Sequence, residues 1–364
     1  MTLLSTDLPP LPPKAERLLA WYDRHHRVLP WRISPSDAAR GVRADPYRIW
    51  LSEVMLQQTT VEAVKKYFLT FTERWADVLA MASASEDDIL RAWAGLGYYS
   101  RARNLKKCAD VVAQQFGGRF PDTEEGLRAL PGIGAYTAAA IAAIAFNRPA
   151  VVIDGNIERV VTRLYRIDTP LPQAKSAIRA ELEPLVPADR PGDFAQALMD
   201  LGSSICTPRR PTCILCPLND DCQALALDEP ERFPVKKPKT ERPVRYGAAF
   251  VALRADGAIL LRKRSDKGLL GGMAEVPGSA WHTSGGFGPQ DAPFAADWMP
   301  AGTITHIFTH FALMLDVYCA PFQGPAPEGM WWSPPCEIAG EALPTVMKKA
   351  IEAAVPDAFR PRAR

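Results

Sequence analysis

The chain has 364 residues, 47% of them hydrophobic, which is enough material for two folded cores. Its 43 Lys and Arg against 41 Asp and Glu leave a formal net charge of only +2, so overall charge predicts no polyanionic partner and any such contact must come from local groups. No run of about 18 apolar residues occurs, and the Pro-rich start is not basic-then-apolar; these features exclude a membrane span and a secretion signal and place the chain in the cytoplasm.

From Ala15 to about Leu225 the apolar spacing is that of helices, broken by tight turns; Val151-Val152-Ile153 is the one β-branched run. Within this half, Glu53 lies in a helical stretch with Ile49, Trp50 and Leu56 three or four residues away on the same face. A carboxyl in such surroundings is desolvated and holds its proton toward neutral pH, the property a general acid needs. Gly95 and Gly97 break the next pattern before Tyr98. Leu130-Pro131-Gly132-Ile133-Gly134 then opens an almost wholly apolar helix to Phe146; a Gly-x-Gly turn of this kind presents backbone N–H groups and a positive dipole end to a phosphate. Asp154 and Asn156 follow an apolar run and precede a helix, where either can cap the helix start. Four of the seven cysteines, Cys206, Cys213, Cys216 and Cys222, fall in one short segment with six, two and five residues between them. In a cytoplasmic chain that density means metal rather than disulfides, and thiolates at this spacing suit zinc or iron–sulfur alike.

Residues 226–242 are polar and broken by prolines, the composition of a linker. Beyond them, residues 248–253 and 259–264 flank an Asp256-Gly257 turn, and residues 304–308 and 313–318 form further strand patterns, so the second part is α+β. Residues 279–296, rich in Gly, Pro and Ser, are expected to be a surface loop.

In this order, the motifs Leu29-Pro30-Trp31-Arg32, residues 52–59, residues 95–101, the Gly-x-Gly turn, residues 151–156 and the cysteine segment resemble the MutY-type adenine DNA glycosylases of the endonuclease III superfamily. The resemblance implies a mainly α helix-hairpin-helix glycosylase domain with an iron–sulfur loop over residues 1–225, a linker over 226–242, a MutT- or Nudix-like α+β domain over 243–355 that recognises 8-oxoguanine, and a tail over 356–364. It implies a [4Fe-4S] cluster on Cys206, Cys213, Cys216 and Cys222. It also implies double-stranded DNA with adenine opposite 8-oxoguanine or guanine as the partner, with the protein acting as a monomer. Glu53 then acts as the acid that protonates the leaving base, an ionised Asp154 steadies the sugar cation, Asn156 helps hold these groups, and Tyr136 stands beside the aspartate. Tyr136 occupies the place where strand-cleaving relatives carry a nucleophilic Lys, which implies base release without coupled strand cleavage.

Among the base and DNA contacts, Trp31 and Arg32 match the adenine pocket, Gln57 and Gln58 a minor-groove contact, Gly132 and Gly134 the hairpin, and Tyr98 the wedge inserted beside the lesion. In the C-terminal half, Phe308, Thr309 and His310 stand where the family has a Phe-Ser-His loop on 8-oxoguanine, with Thr309 in place of Ser. Residues 271–278 are MutT-like but are followed by no Glu-rich metal helix, so this part is expected to read a base rather than hydrolyse a nucleotide. Ala274 departs from the family's Trp, and residues 34–43 form an insertion to which the resemblance gives no role. Three rival readings are disfavoured: a pyrimidine glycosylase-lyase, opposed by Tyr136; a non-catalytic iron–sulfur DNA-binding or redox sensor, opposed by the pair Glu53 and Asp154; and a Nudix hydrolase, opposed by the missing helix.

Overall fold

The computed structural model describes residues 13–236, 242–265 and 268–360. They gather into two compact units, one drawn from residues 1–82 and 107–238, the other from residues 83–106 and 239–364. Among the described residues no helix is long and apolar enough to cross a membrane.

The first unit is helical. Its centre is the helix Ala135–Phe146, which is apolar on all sides and buried from Thr137 to Ala143, as a helix without a polar face must be. The helices Pro46–Leu56, Glu124–Arg128 and Pro191–Ser204 pack around it. The helix Gly155–Leu164 lies against Pro191–Ser204, and there a Cβ on Gly202 would come within 2.6 Å of the Asn156 Cβ. Glycine is thus what lets the backbone carrying Asn156 approach so closely. Two of these helices begin on acids encoded for the purpose: Asp45 accepts from the Tyr47 N–H and is followed by Pro46, and Asp154 accepts from the Ile157 N–H.

The segment expected to be a linker is folded as far as Lys236. Phe233 is buried, its carbonyl accepts from Arg163 Nε at 3.2 Å, and the Leu171 N–H donates to the Val235 carbonyl at 3.1 Å. The polar composition misleads here because a fully buried guanidinium needs acceptors, and backbone carbonyls supply them whatever the side chains. Residues 237–241 lie outside the described part.

In the second unit six strands form one sheet: β1 Val244–Leu253, β2 Ile259–Lys263, β3 Ala274–Glu275, β4 Met299–Ile307, β5 Ala312–Pro321 and β6 Met330–Ser333, in the order β3-β2-β1-β5-β4 with β6 paired to β2. β1 and β5 run parallel from Val244 opposite Ala312 to Leu253 opposite Pro321, and the other pairs are antiparallel. β1 is buried on both faces: Ala249 and Val251 join the cluster of the helix Thr345–Ala354, while Ala248, Phe250 and Ala252 join that of Trp298. The expected turn is present, with Gly257 at φ +82° and the Asp256 carboxylate accepting from the Ala258 N–H. Residues 279–296 are mostly irregular but are more than a surface loop. They send Trp281 into one core cluster and Phe287 and Phe294 into the other, apolar anchors too unevenly spaced to show as a periodic pattern.

Residues 83–106 group with this second unit, although their helical pattern suggested the first. Within the unit, Asp87 pairs with Lys263, Arg103 donates to the Gly271 carbonyl, and the Tyr98 hydroxyl lies 3.1 Å from Thr309 Oγ1. These contacts join positions far apart in sequence and leave no periodic trace in it.

Candidate active site and cysteine loop

A cleft of about 570 Å³ in the first unit is lined by Trp31, Arg32, Glu53, Gln57, Gln58, Tyr136, Asp154 and Asn156. It therefore brings together every catalytic candidate and four of the base-contact candidates from that half of the chain. Glu53 is only 5% exposed, and the Tyr136 hydroxyl donates to its Oε2 at 2.6 Å. Burial pushes the Glu53 carboxyl up to about 7, helped by the nearby Asp154, against the pull of the Tyr136 hydrogen bond and the Arg32 charge. The tyrosine expected to stand by the aspartate thus donates its hydrogen bond to the glutamate. Its own hydroxyl is raised well above the ordinary value, by burial first and then by Glu53 and Asp154, and so remains a donor.

Asp154 is bound from two sides: Oδ1 accepts from the Ile157 N–H at 2.7 Å and Oδ2 from Asn156 Nδ2 at 2.9 Å. Asp154 is thus the cap of the helix Gly155–Leu164 and at the same time a wall of the cleft. Asn156 Oδ1 in turn accepts from Arg159 Nη2 at 2.9 Å, and Arg159 Nε donates to the Cys206 carbonyl at 2.7 Å, so a chain of hydrogen bonds runs from Asp154 to the cysteine loop. Gln57 Nε2 reaches Thr137 Oγ1 at 3.2 Å, and Gln58 follows in the left-handed region at φ +57°. Trp31 packs edge-on against Phe68. Arg32 Nη1 donates to Asp200 Oδ2 at 2.7 Å, and the Arg27 N–H reaches the same oxygen at 3.0 Å. Arg27, Asp200 and the cleft residues Gln196 and Met199 escaped the sequence reading; an acid in the middle of an apolar helical pattern was the one signal, at Asp200.

The hairpin turn is formed as expected. Gly132 takes φ +75°, and Gly134 caps the helix Ala135–Phe146 with no side chain over its first turn. The four clustered cysteines are free thiols that line a single cavity of about 30 Å³ together with Arg163. Among the described residues no three His, Cys, Asp or Glu groups are placed to hold a single ion. Arg163 organises the loop, donating to the Thr207 carbonyl at 2.8 Å, the Pro208 carbonyl at 3.2 Å and Cys206 Sγ at 3.2 Å.

Residues 51–188 match the family model of the HhH-GPD superfamily of base excision DNA repair proteins, and residues 248–353 match a NUDIX domain. The adenine DNA glycosylase of Homo sapiens is 34% identical over 397 residues, covering 92% of this chain and 72% of that protein. The chain belongs to the adenine DNA glycosylase family. It is therefore a DNA glycosylase, an enzyme of base excision repair. The family member of Buchnera aphidicola subsp. Baizongia pistaciae is 35% identical over 70% of this chain and 70% of its own length. A solved thermostable thymine-DNA glycosylase superposes with a TM-score of 0.52 at 30% identity, over 58% of this chain and 95% of that one.

The second unit carries the remaining candidates of this family member. A cavity of about 590 Å³ is lined by Tyr98, Phe308, Thr309 and His310 among others. Tyr98 is 47% exposed and takes φ +49°, a backbone state costly for a side-chain-bearing residue. Arg101 holds that turn, donating to the Leu96 carbonyl at 3.1 Å and the Gly97 carbonyl at 3.2 Å with its guanidinium 5.6 Å from the Tyr98 ring. Phe308 packs against His306 and Phe311, which leaves Thr309 and His310 exposed at the tip of the loop.

Proposed function

We propose that this chain removes adenine mispaired with 8-oxoguanine, or with guanine, from double-stranded DNA by hydrolysing the N-glycosidic bond. The observation that carries the reading is the pairing, in one cleft, of a buried Glu53 able to hold a proton near neutral pH with an Asp154 carboxyl bound by Asn156. Adenine leaves poorly as an anion, so Glu53 delivers its proton to N7 as the C1′–N9 bond breaks. The Asp154 carboxylate faces the positive charge that develops on the sugar, and water completes the replacement at C1′. Tyr136 keeps Glu53 aimed through its 2.6 Å hydrogen bond. The Gly132 and Gly134 turn receives a backbone phosphate, Gln57 and Gln58 contact the pair, Trp31 and Arg32 line the base pocket, and Tyr98 fills the gap as the base leaves the stack. Phe308, Thr309 and His310 read the opposite 8-oxoguanine, and the protein works as a monomer. The test is single-turnover release of adenine from duplexes carrying it opposite 8-oxoguanine, guanine or thymine. Release opposite the first two supports the reading, and bound duplex without release opposes it.

The chemistry of the donor set fits a [4Fe-4S] cluster: four thiols surround one cavity, and Arg163 brings positive charge to the sulfur of Cys206. Cys206, Cys213, Cys216 and Cys222 would hold it, and it would supply a fixed cross-link for the loop whose backbone anchors Arg159. Cys213→Ser should give purified protein with lowered iron and sulfide content and weakened visible absorption, with adenine release reduced in step. Zinc at one equivalent per wild-type chain would rule the cluster out.

Because Tyr136 offers no amine, no Schiff base forms at C1′. Borohydride should trap no covalent protein–DNA species during turnover, and strand breaks should appear only after alkali treatment. A trapped adduct at wild-type level would place a lysine nucleophile elsewhere in the cleft.

A further inference from the structure

A second cavity, of about 600 Å³, lies against the catalytic cleft within the first unit. The two share Ile144 and Gln196 as walls and no other lining residue. The groups proposed to meet the duplex and the sugar, Gln57, Gln58 and Asp154, line the cleft and not the second cavity. Its outer wall comes from the insertion of residues 34–43, with Pro35, Ser36, Ala38 and Ala39 of the short helix Pro35–Ala39 facing in. Gln196 is 5% exposed and is a wall of both cavities.

The chemistry of the lining selects among ligands. Three acids, Asp23, Asp189 and Asp193, face two bases, Arg43 and Arg190, and Arg190 is already engaged by Asp193 at 2.9 Å and by Asp23. This surplus of negative charge disfavours a phosphate and hence a nucleotide. Apolar Ile33, Val42 and Ile144 together with the Gln196 amide suit a flat, neutral molecule with hydrogen-bonding edges. We propose that this cavity is an exit chamber for the free base: adenine, once cut from the sugar, passes Gln196 into it and escapes while the protein still covers the DNA. The proposal rests on the reading of the chain as an adenine hydrolase.

The experiment compares two clocks on the wild type, Ala39→Trp and Ser36→Trp, both at exposed positions on the outer wall. Acid quenching measures glycosidic cleavage, and rapid ultrafiltration of the unquenched DNA complex measures adenine that has left the protein. Cleavage should keep the wild-type rate in both variants while adenine in the filtrate lags by about tenfold or more, the behaviour of a gated product-release step. Radiolabelled adenine, dialysed against protein bound to a duplex with a tetrahydrofuran abasic analogue, should bind the wild type and be excluded by both variants. Filtrate adenine that keeps pace with cleavage in both variants overturns the proposal. So does a slowing of cleavage and escape in step, which would make the insertion a support of the cleft. Failure of the wild type to release adenine at all would instead overturn the underlying hydrolase reading.

Discussion

Glu53→Gln is expected to bind an adenine:8-oxoguanine duplex as the wild type does and to release its adenine slower by about 10²–10⁴-fold, the range that positioned proton donors supply. Gln matches the shape of the carboxyl and can still accept from the Tyr136 hydroxyl, but it has no proton of suitable acidity to give. The same group sets the pH dependence. With its carboxyl pushed up to about 7, Glu53 is protonated below that pH and progressively ionised above it. The single-turnover rate constant should therefore be flat on the acid side and fall by about tenfold per pH unit on the alkaline side. In the wild type, stability should fall with rising pH, as activity does. Because the folded protein binds this proton more tightly than the unfolded chain does, the resulting stabilisation is complete below pH 4.5 and is lost as pH rises toward 7. Removing the charge by Glu53→Gln should thus leave stability unchanged at pH 4 and raise it at pH 8. The gain is at most about 3 kcal/mol, the free energy of moving one carboxyl from 4.5 to about 7. Denaturant melts at the two pH values, read beside the rates, check the pair of effects. A Gln variant that is inactive and also unstable at pH 8 would mean a damaged fold rather than a missing acid.

The parts of this molecule legible in its sequence are those whose chemistry is local. Glu53 was recognisable because residues 52–59 resemble the family's stretch, with Ile49, Trp50 and Leu56 beside it on one helical face, and the structure buries it. The hairpin glycines, the Asp256 turn and the four cysteines are likewise short-range signals. What could not be read is the set of side chains that act on partners distant in sequence. Asp200 holds Arg32 from 168 positions away, Arg159 ties Asn156 to the Cys206 carbonyl, and Arg163 gathers carbonyls from Thr207, Pro208 and Phe233. Each is a charged residue on a helix; Arg159 and Arg163 look in sequence like solvated surface charges, and Asp200 shows only as an acid in an apolar pattern. The buried acceptors that distinguish them exist only once the chain is folded. The same blindness made residues 226–236 look like a tether and assigned residues 83–106 to the helical half. In the second unit, β6 at Met330–Ser333 has no alternation to betray it, because its own Met330, Trp331 and Trp332 are all partly buried. The match to Tyr136 named the residue but not its hydrogen-bond partner.

Asp154→Asn should separate two roles that one residue fills. As a cap, the side chain satisfies the Ile157 N–H at the start of the helix Gly155–Leu164, and Asn caps a helix about as well as Asp does. As an active-site group, the carboxylate opposes the charge that appears on the sugar, and a neutral amide cannot. The expected result is a protein with wild-type thermal stability, unaltered duplex binding and adenine release slowed by about 10²–10³-fold, the usual effect of removing a group that stabilises developing charge. Asp154→Ala removes both roles, so it should match the Asn variant in rate and also lose about 1 kcal/mol of stability. The contrast between the two variants is the informative quantity. If Asn restores activity along with stability, Asp154 serves the helix alone and the sugar cation must be steadied by another group. If Asn restores stability but not activity, the cap is the device that fixes the carboxylate. The Ile157 N–H holds one oxygen at 2.7 Å and Asn156 holds the other at 2.9 Å, which gives the group little freedom to turn away from the cleft. A rigid charge aimed before the bond breaks costs no reorganisation during the reaction, so on the proposed mechanism a capping aspartate held on both oxygens is well placed to serve the sugar.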